Sequence, residues 1–388
     1  MMSVVLFDPP QRNLLFPFTK TRAVAEVRAG IFTGKERWKM LTGESVQIWT
    51  VPYLQAKYPL LPADRYLLIN SGFIANEDLA ARVFNLKEDE AILKDGELVA
   101  GVLSGDKTLS PQSFHPGEYK AVFDYEAPLV KILFPWHIFQ LNGELIRKDF
   151  QIIQSKKKKR SIPASSDWKS PQNIFIEEGA NTGHCYIDAT EGPVYIAKDS
   201  VIMDGCMIQG PFAIMEGSVL KMGAKVYGAT TIGPFCSAGG EIKNTVFSGY
   251  SNKAHDGYLG DSVVGEWCNL GSGTSNSNLR NDAGTIYASM ANGENLPIGL
   301  KCGLFLGDYS RSAINTSFNT GTFAGISSNI FGVGLTPKQI PDFTWGYSEC
   351  YRLDKALEHI ENWKKLRNQH ISKAEIQILE HLYNQIEP

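Results

Sequence analysis

The chain has 388 residues, a hydrophobic fraction of 43% and a formal net charge of -3. That length leads us to expect two domains and a sizeable core. The balance of charge gives no overall electrostatic case for nucleic acid. Six cysteines are spread out with no C-x-x-C pair, so neither a zinc site nor a disulfide framework is expected. No run of about 18 apolar residues occurs, so no membrane span is expected. The N-terminus lacks the basic–apolar–small order of a signal peptide, and the expected location is cytoplasmic.

In chain order, Ser3–Asp8 reads as a buried strand, followed by "PFTKTRAVAEVRAGI". That basic segment follows a first strand, where α/β proteins place ligand sites. Val46–Tyr53 and Arg65–Asn70 read as further strands. Asn76–Leu86 reads as a helix with an asparagine cap and an acidic first turn. With "ELVAGVL" as a later strand, the pattern predicts an α/β sheet over residues 1–155. Lys156–Arg160, "KKKKR", marks a solvated linker over 156–171.

From Ile196 a step of six residues meets Ile202, Ile208, Ile214, Leu220, Val226 and Ile232, all aliphatic. The phase slips near "CSAGGE", read as an insertion of two residues, and resumes at Val246, Asn252, Tyr258, Val264, Leu270 and Asn276. It returns at Leu300, Leu306, Ser312, Phe318, Ala324 and Ile330. A six-residue period fits neither an α-helix nor a heptad; it fits a parallel β-helix with coils of roughly 18 residues. This domain is placed at 172–335. Asn252, Tyr258 and Asn276 then fall on inward or corner positions, where polar groups need partners. In the tail, 336–388, Leu353, Ala356, Leu357, Ile360 and Trp363 recur at helical spacing.

The order α/β domain, linker and hexapeptide repeats resembles bifunctional N-acetylglucosamine-1-phosphate uridylyltransferase/glucosamine-1-phosphate acetyltransferases. The motifs "GGEIKN", "NKAHDGYLGDS", "GEWCNLGSGTSNSNL", "INTSFNTGT" and "FPWHIFQLN" resemble a variant group of these proteins typical of Bacteroidetes. The resemblance implies a left-handed β-helix, a homotrimer with acetyltransferase sites between subunits, and acetyl-CoA as cosubstrate. It places His255, three residues before "YLGD", at the general base. Tyr258, Asn269 and Asn278 take substrate-binding positions, as does Lys243 of "EIK". Lys221 of "LKMGA" stands where the family has an arginine, keeping the charge but losing the bidentate fork. Ser272 falls on the coenzyme A path, and Lys301 is a loose counterpart of a lysine near the acyl donor. The chemistry agrees with the residue types. A neutral imidazole, with a reference pKa near 6.5, can deprotonate an attacking amine, and lysines can hold a sugar phosphate.

The first domain departs from the pattern. The family's Gly-rich phosphate loop is replaced by "LFDPPQRNLLFPFTKTR", where the adjacent Pro9 and Pro10 remove N–H donors and glycine is absent. Arg12 matches the loop arginine. Val24 stands at the catalytic lysine, leaving Lys20, Arg22 or Arg28 as substitutes for nucleotide binding. The resemblance implies Mg²⁺ for nucleotidyl transfer, yet Asn70, Ser71 and Gly72 occupy the usual aspartate strand end. The expected function is acetyl transfer to glucosamine 1-phosphate; for the first domain, nucleotidyl transfer from UTP or dTTP stays open beside mere nucleotide or sugar binding or a structural role. Two alternatives stay open: a sugar-1-phosphate nucleotidyltransferase with regulatory or assembly repeats, and a non-catalytic trimeric sugar-nucleotide-binding scaffold.

Overall fold

The computed structural model describes residues 2–105, 109–158, 163, 166–290 and 293–386. The chain divides into two compact units. One comprises residues 1–15, 19–27 and 32–133; the other comprises 16–18, 28–31 and 134–388.

In the first unit, β1 (Met2–Phe7) pairs in parallel with β2 (Val46–Trp49) and β3 (Arg65–Asn70). β4 (Glu90–Lys94), β5 (Glu97–Ser104) and β6 (Ala121–Asp124) complete a six-stranded sheet in the order β2-β1-β3-β5-β4-β6. β3 and β5 run antiparallel, so the sheet is mixed. Helix α1 spans Gly34–Thr42. β2 ends earlier than expected because Pro52, which lacks an N–H, opens the short helix α2 (Pro52–Gln55). Helix α3 (Glu77–Phe84) begins as expected, with the Asn76 side chain accepting from the Leu79 N–H at 2.7 Å.

Helices α4 (Pro135–Gln140) and α5 (Asn142–Lys156) belong to the second unit, which moves its start ahead of the expected boundary at 155. The reason is local. α5 packs on the strands Phe212–Ile214 and Thr230–Ile232, and Asn142 Nδ2 donates to the Ala229 carbonyl at 2.8 Å. Of the expected linker, Lys156 ends α5 and Lys157 pairs with Glu177 at 2.5 Å. Lys159 and Arg160 lie outside the described residues.

The rest of the second unit is a parallel β-helix of three stacked sheets. The first face runs from Asp167–Lys169 to Tyr258–Gly260, the second from Ile174–Ile176 to Gln339–Ile340, and the third from Asn181–Thr182 through Asn329–Ile330 to the end. On the second face Ile196, Ile214 and Ile232 pair in register, and on the third Ile202 pairs with Leu220. These columns form one buried apolar core.

The register shift near Ala238 runs opposite to the expected insertion. Gly239 and Gly240 turn the corner from Ala238 to Ile242 in fewer residues than separate Leu220 from Val226. The positive φ of Gly240, +74°, suits a tight corner. The inward residues are therefore Phe247, Lys253 and Leu259 rather than Val246, Asn252 and Tyr258. Val264, Leu270 and Asn276 return to the expected phase. An antiparallel ribbon, Ile286–Ser289 with Asn295–Gly299, then interrupts the coils. It leaves the expected rung Leu300 60% exposed, whereas Leu306, Ser312, Phe318, Ala324 and Ile330 point inward. Helices α6 (Leu353–Lys365) and α7 (Lys373–Tyr383) end the chain, joined by a buried Lys364–Glu375 ion pair at 2.6 Å. Among the described residues no helix is long and apolar enough to cross a membrane.

Candidate functional site

The outer side of the first face carries a polar cluster. Strand alternation turns Glu241, Lys243 and Tyr258 outward while Ile242 and Leu259 face the core. Asn278 Nδ2 donates to Tyr258 Oη at 2.9 Å and to Asp261 Oδ2 at 2.5 Å. Asp261 Oδ1 accepts from Asn244 Nδ2 at 2.8 Å. Tyr227 Oη donates to Glu241 Oε1 at 2.5 Å, and this bond pushes the phenol up to about 12. Burial and Asp261 push Tyr258 upward too, so it is a neutral donor. Gly260 leaves room for this ring: a Cβ would stand 2.2 Å from Tyr258 Oη, which would have to shift.

Lys243 lies 5.8 Å from the Tyr227 ring centroid. Partial burial, then the neighbouring Lys301 ammonium, hold it below its ordinary value. The fold thus brings together two lysines far apart in sequence, beside the Tyr258–Asn278 pair. Two adjacent ammonium groups repel each other and gain by sharing an anion.

His255 is exposed on the corner between the third and first faces. Its carbonyl accepts from the buried Lys253 Nζ at 2.8 Å. Ser272 takes the corresponding corner of the next coil, where the Gly273 N–H donates to the Asp256 carbonyl at 3.0 Å. Lys221 belongs to the same column: a Cβ on Gly239 would meet Lys221 Cβ at 3.1 Å and the Ala254 carbonyl at 2.5 Å. Within one chain, His255 precedes Tyr258 at the start of the first-face strand, whereas Lys243 is level with Gly260 at its end.

Two asparagines part company with this group. Asn269 sits outside the third face, in register with Asn252 and Arg311. Asn252 itself accepts from Arg367 Nη2 at 3.3 Å. Asn276 is buried; it accepts from the Gly260 N–H at 2.8 Å and donates to the Gly260 and Ser277 carbonyls, each at 3.1 Å. Its task is structural.

In the first unit, Arg12 is 4% exposed and is spent internally. Its Nε donates to Asp8 Oδ2 at 2.9 Å and its Nη2 to the Thr19 carbonyl. Asp8 also accepts from the Val24 N–H at 2.7 Å and Thr50 Oγ1 at 2.5 Å. Burial raises Asp8 despite these partners. The Arg12 guanidinium is thus turned to Asp8 and Thr19, and the pair fastens the segment after β1. Arg28 is likewise held internally. It belongs to the second unit and donates to the Ser248 and Ile31 carbonyls at 3.3 and 2.5 Å. Arg22 is buried, and Lys20 is half-buried.

At the end of β3, sequence reading missed Glu97. Its Oε1 accepts from Asn70 Nδ2 at 3.0 Å, and its Oε2 pairs with Lys131. Only the antiparallel β3–β5 pairing reveals it. The described residues include no group of three or more His, Cys, Asp or Glu that could hold a metal. The Asn70 end of β3, with its one carboxylate tied to a lysine, does not fit a Mg²⁺–triphosphate anchor.

The second unit thus joins a parallel β-helix to an outward cationic–amide cluster, and the first is a mixed α/β unit. Residues 4–158 match the family model described as sugar nucleotidyl transferase. The chain is 29% identical over 175 residues to the bifunctional sugar-1-phosphate nucleotidylyltransferase/acetyltransferase of Sulfurisphaera tokodaii, covering 42% of this chain and 40% of that one. It is 27% identical over 215 residues to the bifunctional protein GlmU of Methanococcus maripaludis, covering 55% and 46%. The match to the Cyanothece GlmU is 27% over 152 residues, 33% of each. The chain thus spans between about a third and a half of these relatives' lengths. The solved polySia specific acetyltransferase NeuO covers 53% of this chain and 99% of its own at 11% identity and a TM-score of 0.25, too weak to carry an argument.

Proposed function

We propose that the second unit transfers an acetyl group from acetyl-CoA to the amine of an amino-sugar phosphate, with glucosamine 1-phosphate as the substrate. The observation that carries this reading is the meeting of Lys243 and Lys301 beside Tyr258 and Asn278. The lysines supply charge for the phosphate, and the amide and phenol supply hydrogen bonds for the sugar. His255, in its neutral form, accepts a proton from the amine as nitrogen attacks the thioester carbonyl. The C–N bond forms, the C–S bond breaks, and the proton passes to the departing thiolate. Ser272, on the same corner, lines the coenzyme path, with Lys221 further along that column.

His255 and Lys243 stand at opposite ends of the first-face strand, so one substrate is best served by His255 of one copy and Lys243 of another. This favours a homotrimer with sites between subunits. For the first unit we infer binding of a sugar nucleotide or of UTP or dTTP, with nucleotidyl transfer as its origin. The internal commitment of Arg12 and the poor fit to Mg²⁺ give the catalytic form of that reading less support, and no step is routed through a metal.

The test is a paired assay on the whole chain. One arm follows CoA release with acetyl-CoA and glucosamine 1-phosphate; the other follows pyrophosphate release with UTP or dTTP and sugar 1-phosphates. The expected result is CoA release that fails in His255→Ala. Equal release by wild type and His255→Ala would overturn the site.

A further inference from the structure

Beside the third face of the β-helix lies a cavity of about 270 Å³, lined by Arg311, Asn329, Tyr351, His359, Asn362 and Trp363. Arg311 comes from the coil strand Arg311–Ser312; His359, Asn362 and Trp363 come from α6. None of these residues serves the proposed acetyl transfer.

The Arg311 guanidinium carbon lies 5.3 Å from the Trp363 ring centroid, so one planar face is used by the indole. Its edge is not satisfied. Nε and Nη2 are both buried and have no hydrogen-bond partner among the described residues. These two N–H groups lie on the same side of the guanidinium, and together they form the fork that takes both oxygens of a carboxylate or two oxygens of a phosphate. A buried cation whose donors go unmet is costly unless something pairs with it. No carboxylate lines the cavity. Burial lowers Arg311 to about 10, and the groups that act against this are Tyr351 and Cys268, neither of them an acid of the carboxylate type. The remaining walls are aromatic or amide: Tyr351 Oη shares a hydrogen bond with His359 Nδ1, and Asn362 stands exposed at the rim.

We infer that this cavity is a binding site for a small organic oxyanion carried on a planar or apolar body. Arg311 grips the two oxygens through Nε and Nη2. Trp363, Tyr351 and His359 pack on the body. The volume is near the lower bound of roughly 300 Å³ for small-molecule sites, which suits a small anion of this kind.

Titration calorimetry on the full chain tests this with benzoate and phenyl phosphate as probes and benzyl alcohol as the neutral control. Two variants accompany wild type. Arg311→Lys keeps the charge but loses the fork. Asn362→Trp fills the exposed rim without touching the core. The expected result is saturable binding of one probe molecule per chain for at least one anion, none for benzyl alcohol, and about tenfold or greater weakening in both variants. Which anion binds separates a carboxylate ligand from a phosphate ligand. The inference is overturned if neither anion saturates wild type, if benzyl alcohol binds equally, or if Asn362→Trp binds as wild type does. Should Arg311→Lys fail to fold, the rim variant decides alone.

Discussion

Lys253 Nζ donates to the main-chain carbonyl of His255 at 2.8 Å and to that of Gly239 at 3.0 Å. The lysine occupies an inward position, in column with Ala238, and is 1% exposed. A cation thus replaces an aliphatic rung directly beneath the corner that carries the proposed base. Two neighbouring coils are tied through it, and the orientation of the His255 backbone depends on the tie. Lys253→Met preserves the length of the side chain and removes the donors. The expected outcome is a fall in kcat of about tenfold or more with little change in KM, because the base is displaced while the phosphate site is untouched. A parallel rise in KM would show a general collapse of the face instead.

The same lysine makes a pH signature. Burial pulls its pKa from 10.5 down to about 8, with Asp256 opposing. The folded value is below the unfolded one, so the unfolded chain holds more protons between them. Stability contributed by this site therefore rises from about pH 8 to about pH 10.5 and is flat below that window. Denaturant unfolding across the window should show wild type gaining on Lys253→Met. Parallel profiles for the two proteins would reject a buried, titrating Lys253.

The six-residue period exposed the β-helix because each inward aliphatic is visible as a letter, and Ile196 to Ile232 repeat without interruption. Lys253 was not legible: a charged residue at an inward position contradicts the pattern that defines inwardness. The short Gly239–Gly240 corner hid the true register, since glycine pairs are equally compatible with added or missing residues. The Lys243–Lys301 meeting was also invisible, because the intervening ribbon disguises which coil Lys301 joins. Arg12 looked like a phosphate ligand since local sequence cannot reveal that Asp8, Thr19 and Thr50 converge on one buried point.

For the paired lysines, Lys301→Met should raise the KM for glucosamine 1-phosphate by about tenfold while kcat changes little. It should also let Lys243 return toward its ordinary value, because a like charge beside it is gone. A ¹³Cε titration of Lys243 by NMR reads that shift directly. An unchanged titration in Lys301→Met would separate the two ammonium groups and remove the anion site.

Gly260→Ala tests the tyrosine. The new Cβ would meet Tyr258 Oη at 2.2 Å. The obstructing atom is the far end of a side chain, so the ring can swing away with the coil intact, at a cost of about 1 kcal/mol. Swinging breaks the 2.9 Å bond from Asn278. A near-native melting temperature with a raised KM is the expected pair of results. Unchanged kinetics would show that Tyr258 does not contact substrate.

The buried Asp8–Arg12 pair makes the last prediction. Both side chains are almost wholly enclosed, at 2% and 5% exposure. Arg12→Met leaves a carboxylate buried with the Val24 N–H and Thr50 hydroxyl but no cation. Breaking such a pair from one side costs roughly 3–5 kcal/mol. Asp8→Asn with Arg12→Met should recover part of that loss, since no charge is then buried. Urea unfolding of the single and double variants measures the difference. If Arg12→Met is instead as stable as wild type but loses UTP-dependent pyrophosphate release, the arginine turns outward to a phosphate in solution, and the first unit performs the nucleotidyl transfer that its internal ion pair argues against.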